Sequence, residues 1–140
     1  MADQSAAMAR AVTPEQALDA ALVEMDRPFV RGAHDCCSAA CLAFGRLWGV
    51  PVWPLVPEYR TRTGALRLIR SHGGPEAWCA DLARRAGLHE RAPHVGALGL
   101  YAGGEMPITL ALCVGDAWAS MAEGGGVVFR PDVPVMVRGI

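Results

Sequence analysis

The amino-acid sequence predicts an α+β fold in which N-terminal helices pack on a small C-terminal antiparallel sheet. Segments with helical spacing and helix-capping residues fill the first two thirds of the chain. From Val95 onward, short apolar runs alternate with turn-forming segments rich in Gly, Pro and Asp. Helices followed by strands, without alternation, are typical of α+β proteins rather than of parallel α/β folds.

The chain of 140 residues fits one domain. Residues 1–12 are small and polar without a pattern, so we predict a flexible N-terminus followed by a single domain over 13–140. Thr13 can cap a first helix at about 14–26, and Gln16 completes a capping box.

A second helix is predicted at about 36–48, with Asp35 as its cap and Gly49 at its end. Its apolar positions fall on one stripe that belongs in the core: Ala40, Cys41, Phe44, Leu47 and Trp48. The proline-rich segment PVWPLVPEYRTRT follows, and we expect it to be an extended surface loop that offers Trp53 and Tyr59 to a partner.

The remaining elements follow from periodicity and from Gly and Pro positions. Two further helices fit residues 64–72 and 75–86. The apolar runs that read as strands lie at 95–102, 108–114, 126–129 and 133–137.

The composition of the chain limits which binding partners and which cellular compartment are expected. The formal net charge of −1 provides no basic surface for nucleic acid and no cationic face for a membrane. The five cysteines are an odd number without a C-x-x-C pair, which favours a reduced compartment over a disulfide framework. Because no signal peptide or apolar span is visible, we expect synthesis in the cytoplasm and no membrane insertion.

Cys36 is the candidate nucleophile. A helix that starts at Asp35 places backbone N–H groups and the positive end of its dipole beside this thiol, which lowers a thiol pKa. Free cysteines are also small, commonly buried hydrophobic residues. Core packing is therefore the favoured interpretation for the other four: Cys37, Cys41, Cys79 and Cys113.

Zinc is a third interpretation of this cluster, with His34, Cys36, Cys37 and Cys41 as ligands. Structural zinc sites usually combine two separated ligand pairs, and no convincing second pair is present. We therefore predict neither a metal nor another cofactor.

The order of a Gly-containing loop, Asp-Cys, an apolar helix, further helices and a sheet resembles the NlpC-type cell-wall peptidases, a compact branch of the papain-like cysteine hydrolases. Three segments together resemble more closely a domain family of tailed-phage genomes whose genes lie among tail-tip genes: RGAHDCCSAACLAFGRLWG, PEYRTRTGALRLIRSHGG and LALCVGDAWASMAEGGGVVF. The resemblance covers about residues 20–130 and implies a papain-like fold with Cys36 as nucleophile.

The sequence differs from these peptidases at the position of the catalytic base. The peptidases carry a His at the head of a strand before a Gly-Asp turn, and alignment on Gly115-Asp116 places Thr109 there. Thr cannot act as a base, so His94 and His34 are the candidates that remain.

Two functions follow from the resemblance. The first is a component of a phage-type tail tip or baseplate with weakened or lost catalysis, which is made in the host cytoplasm and then joins the virion tail. The second is an active cysteine peptidase or amidase that cuts peptidoglycan stem peptides. The expected partners are other tail-tip or baseplate proteins, with peptidoglycan as a further candidate.

Overall fold

The computed structural model describes residues 11–103 and 107–140, and it confirms the α+β class. The four α-helices described are α1 (Pro14–Met25), α2 (Ser38–Trp48), α3 (Arg62–Ser71) and α4 (Pro75–Arg85). They are followed by six strands: β1 (His89–Glu90), β2 (Leu98–Ala102), β3 (Ile108–Cys113), β4 (Trp118–Met121), β5 (Val127–Arg130) and β6 (Met136–Gly139).

The capping box predicted for α1 is present. Thr13 Oγ1 accepts a hydrogen bond from Gln16 N–H at 3.1 Å, and Gln16 Oε1 accepts one from Thr13 N–H at 3.0 Å. Most of the predicted flexible N-terminus, residues 1–10, lies outside the described residues. Val12, which was assigned to that segment, packs against the core.

Helix α2 begins two residues later than predicted, because residues 36 and 37 form a turn. It ends as predicted at Gly49, whose φ of 75° lies in the left-handed region that glycine adopts without strain. The predicted stripe does face the core: Ala40, Cys41 and Phe44 are buried, and Leu47 and Trp48 pack at its margin.

The six strands form one antiparallel sheet with the order β1-β6-β2-β3-β4-β5. The predicted strands correspond to β2, β3, β5 and β6, whereas β1 and β4 were not predicted. Strand β1 has only two residues, and β4 reads WASM without a long apolar run. Both faces of β4 are buried, because Ala119 and Met121 pack in the main core and Trp118 packs on the other face of the sheet. A strand of this kind lacks the alternation that sequence patterns detect.

Alternate residues of β3 lie on opposite faces of the sheet. Ile108, Leu110 and Leu112 belong to the main core beneath the helices. Ala111 and Cys113 belong to a second, smaller cluster on the other face, together with Ala97, Tyr101 and Trp118. No helix in the described part of the chain is long and apolar enough to cross a membrane.

The proline-rich segment is a surface loop over most of its length, as expected, but parts of it are more closely bound to the fold. It contains a short 3-10 helix (Trp53–Leu55), and Val52 is buried in the core. The Tyr59 ring contacts the Trp53 ring edge-on, with 5.9 Å between centroids, and its hydroxyl points back toward the start of α2. The Tyr59 hydroxyl is thus engaged within the chain, and the partner contact expected at this loop stays a prediction.

Candidate thiol site

The Asp35 carboxylate organises the turn that precedes α2. Its Oδ1 accepts hydrogen bonds from Cys37 N–H at 2.9 Å and Ser38 N–H at 2.8 Å, and Ser38 Oγ accepts one from Asp35 N–H at 2.8 Å. Its Oδ2 accepts from Gly32 N–H at 2.8 Å and from the Tyr59 hydroxyl at 2.6 Å. The N-cap of α2 is Cys37 rather than the predicted Asp35, because the helix begins two residues later than expected. Asp35 instead holds the turn before the helix and joins two loops that are distant in sequence.

These hydrogen bonds determine the charge of the carboxylate. Burial by itself would raise the pKa of Asp35, but the N–H donors and the Tyr59 hydroxyl outweigh burial and hold the pKa below its usual value. Burial, followed by the neighbouring acidic groups, raises the pKa of Tyr59. At neutral pH a charged carboxylate thus accepts from a neutral phenol.

Cys36 is fixed between this turn and strand β3. Its carbonyl oxygen accepts a hydrogen bond from Leu110 N–H at 3.0 Å, and its thiol donates to the Ile108 carbonyl oxygen at 3.6 Å. The residue is only 4% exposed. The candidate nucleophile is therefore held against the sheet and is shielded from solvent.

The Cys36 thiol differs electrostatically from the other four. A hydrogen bond from the Cys37 thiol lowers the pKa of Cys36, and the Arg31 guanidinium adds to this against the opposing effects of burial and Asp35. The same thiol pair raises the pKa of Cys37. Burial raises the pKa of Cys41 and of Cys113, and it raises that of Cys79 to about 12.

A small cavity of about 10 Å³ lies beside the two adjacent thiols. The residues that line it are Arg31, Cys36, Cys37, Tyr59, Ala65, Leu68, Ile69 and Trp78. Trp78 is buried, and its Nε1–H finds no hydrogen-bond acceptor among the residues that the structure describes. A wider groove of about 810 Å³ lies between α4 and strands β1 and β6, and Cys36 does not line it.

His34 faces α1 rather than the thiol. Its Nε2 lies 3.7 Å from Oε1 of Glu24, a buried carboxylate that also contacts Arg27 at 3.5 Å and Arg46 at 3.6 Å. His34 therefore belongs to an ionic cluster that joins α1, α2 and the loop between them.

His94 lies at another part of the sheet. Its Nδ1 shares a hydrogen bond with the Ala92 carbonyl oxygen at 2.8 Å, and its ring lies beside Gly139 of β6. Strands β6 and β3 are separated by β2, a distance of about 10 Å across the sheet. The structure does not bring His94 to Cys36.

Thr109, at the aligned position of the base, lies on the opposite face of the sheet from Cys36. It pairs with Tyr101, which belongs to the outer cluster, whereas its neighbours Ile108 and Leu110 belong to the core beneath the helices. Thr109 directly follows Ile108, whose carbonyl oxygen accepts the hydrogen bond of the Cys36 thiol. The Thr109 side chain nevertheless points away from that thiol. Aliphatic side chains take the inward positions of this strand.

The described residues contain no group of three or more His, Cys, Asp or Glu side chains placed to hold a metal ion. His34 is paired with Glu24, as described above, and Cys37 and Cys41 are fully buried within the core cluster. The zinc interpretation therefore receives no support from this part of the chain.

That four residues belong to the Cys36 site was not predicted from the sequence. Gly32, Ser38, Tyr59 and Trp78 reach it through the fold. The Asp-x-x-Ser spacing of residues 35 and 38 resembles a capping box and could have indicated Ser38. No local pattern links Tyr59 or Trp78 to Asp35, since both arrive from other loops and helices.

Comparison with known proteins assigns a family but no activity. A family model described as "Domain of unknown function (DUF6950)" matches residues 9–137. Neither the curated proteins nor the solved structures contain a match to the chain. Because the family model spans nearly the whole sequence, the chain belongs to the DUF6950 family.

Proposed function

We propose that this protein is a component of a phage-type tail tip or baseplate that retains an NlpC-like thiol site with weak or absent hydrolytic activity. The proposal is based on two observations. They are the resemblance of three sequence segments to a domain family of tailed-phage genomes and the arrangement of the residues around Cys36. Its expected partners are neighbouring tail proteins, and its expected final location is the virion tail.

The proposed loss of hydrolysis is based on the hydrogen-bond partner of the Cys36 thiol. The Cys36 thiol donates to the backbone carbonyl of Ile108, and within the described chain no imidazole bonds to it. The nearest strand offers only aliphatic side chains on the inward face. A thiol in these surroundings lacks a group that could accept its proton and then return it to a leaving amine.

Amide cleavage requires both of those proton transfers. A nearby thiol and a guanidinium favour the thiolate of Cys36 but give no proton to the leaving amine. General acid–base help of this kind is typically worth about 10²–10⁴-fold in rate. The narrow cavity beside Cys36 also leaves no room for a peptide chain in this conformation.

We expect the purified protein to release no stem-peptide fragments from isolated sacculi. Mass spectrometry of the soluble products would compare the wild type with the Cys36→Ala, His34→Ala and His94→Ala variants, and an active peptidoglycan peptidase would serve as positive control. Turnover that is lost in Cys36→Ala and in one His variant would refute the proposed loss of hydrolysis and identify the base.

The tail location has its own test. We expect the protein to be present in purified virions or tail-like particles from the source of the gene, and the Cys36→Ala variant to be incorporated as well as the wild type. Quantitative mass spectrometry of gradient-purified particles measures both. Absence of the protein from the particles would contradict the tail-component proposal, whatever the sacculus assay gives.

An active cysteine peptidase or amidase is the second candidate, and the lowered pKa of Cys36 favours it. In that function, a tail partner or a rearrangement of the loop around Tyr59 would have to open the site and bring a base to the thiol. The sacculus assay repeated with intact particles separates this candidate from the first.

A further inference from the structure

We infer that Cys36 is a site of reversible oxidation by hydrogen peroxide and that the cavity beside it holds the oxygen atom of the resulting sulfenic acid. The cavity of about 10 Å³ is lined by both adjacent thiols and has room for about one water-sized atom. A sulfenic acid adds one oxygen atom to the sulfur, so the product matches the available space. This inference does not depend on the tail location or on hydrolysis.

The second observation is the unpartnered indole of Trp78. The residue is 2% exposed, it lines the cavity, and its Nε1–H has no acceptor within residues 11–103 and 107–140. A buried donor without a partner destabilises the folded state, because it has lost its hydrogen bond to water. A sulfenic or sulfenate oxygen is a hydrogen-bond acceptor, so its formation beside Trp78 would satisfy this donor.

Oxidation by hydrogen peroxide is possible for a thiol that has no imidazole beside it. The Cys36 sulfur attacks one oxygen of hydrogen peroxide, an S–O bond forms, and the O–O bond breaks. The hydroxide that leaves combines with the proton released by the thiol to give water, so Cys–SH and HOOH become Cys–SOH and H₂O. The sulfur is oxidised by two electrons and the peroxide is reduced by two. No amine leaves, and the step therefore needs no general acid of the kind required for amide cleavage.

The adjacent thiol of Cys37 is poorly placed to convert this product into a disulfide. Consecutive Cα atoms lie about 3.8 Å apart, which is shorter than the roughly 4.4–6.8 Å found for disulfide-bonded residues. The 4% exposure of Cys36 also limits attack by the thiols of other proteins, which are much larger than hydrogen peroxide. We therefore expect the sulfenic acid to persist until a small reductant reaches it.

The test treats the full chain with a small excess of hydrogen peroxide and then unfolds it in dimedone and N-ethylmaleimide, which label sulfenic acids and remaining thiols respectively. Peptide mass spectrometry is expected to find the dimedone adduct at Cys36 at least about tenfold above that at Cys79 or Cys113, because those two thiols have raised pKa values. Dithiothreitol added after the peroxide and before unfolding should reduce the sulfenic acid and so prevent the Cys36 adduct from forming.

Trp78→Phe keeps an aromatic ring and removes the N–H donor. It is expected to lower the yield of the Cys36 adduct about fivefold, the factor that corresponds to one hydrogen bond of typical net strength. Trp118→Phe, in the cluster on the other face of the sheet, is the matched control and should leave the yield unchanged. Circular dichroism confirms that both variants are folded.

Three results would overturn the inference. They are labelling of Cys36 no greater than that of Cys79, a Cys36–Cys37 disulfide as the main product, and an unchanged yield in folded Trp78→Phe.

Discussion

Replacement of Asp35 by alanine is expected to lower the free energy of unfolding by about 3–5 kcal/mol, because it leaves several buried donors without an acceptor. The carboxylate is 1% exposed and accepts four hydrogen bonds, three from backbone N–H groups and one from the Tyr59 hydroxyl. The substitution also removes the acceptor of the Ser38 N–H, at the first residue of α2. Urea unfolding followed by circular dichroism measures the change.

Two control variants separate these effects. Tyr59→Phe removes only the phenolic donor and is expected to lower the free energy of unfolding by about 1–2 kcal/mol. Asp81→Ala removes a carboxylate that pairs with Arg84 and Arg85 on the exposed surface of α4, and it should change stability little. A loss below about 1 kcal/mol in Asp35→Ala would contradict the assigned hydrogen bonds.

Low pH should weaken the same hydrogen bonds, because it protonates the Asp35 carboxylate. Because the folded state lowers the pKa of Asp35, its contribution is fully present above the unfolded pKa of about 3.9. That contribution is lost as the pH falls below this value and through the folded pKa. The stability difference between the wild type and Asp35→Ala is therefore expected to shrink below about pH 4.

Gly32→Ala is expected to lower the free energy of unfolding by about 3 kcal/mol or more. Gly32 has a φ of 83°, and a Cβ built on it would lie 1.9 Å from the Tyr59 carbonyl oxygen, a backbone atom that cannot rotate away. The methyl group would force the Tyr59 loop away from the turn and weaken its bond to Asp35. Thermal and urea unfolding measure the loss.

Gly87→Ala is the matched control for this substitution. Gly87 has a similar φ of 76°, but a Cβ there would meet no atom within 4 Å. Its replacement should therefore show the backbone strain alone, about 1–2 kcal/mol. Equal losses in the two variants would mean that the close approach of Tyr59 to Gly32 contributes nothing.

Local sequence signals predicted most of the secondary structure. The Thr13 capping box and the left-handed Gly49 each depend on residues within a few positions of one another, so a single sequence can reveal them. The Asp35 signal located the start of α2 to within two residues, although the N-cap itself is Cys37. Strand β4 was missed because neighbouring strands and helices, rather than its own alternation, bury it.

The sequence by itself determined an α+β chain with a cysteine directly after a helix-capping aspartate. Only the tertiary structure decided the surroundings of that cysteine, because they depend on contacts between residues far apart in the chain. Tyr59 closes on Asp35 from a loop 24 residues away, and the pleat of β3 puts Ile108 and Leu110 on the side of Cys36 and Thr109 on the other. His34 lies beside Glu24, and His94 lies at another part of the sheet, so neither ring meets the thiol.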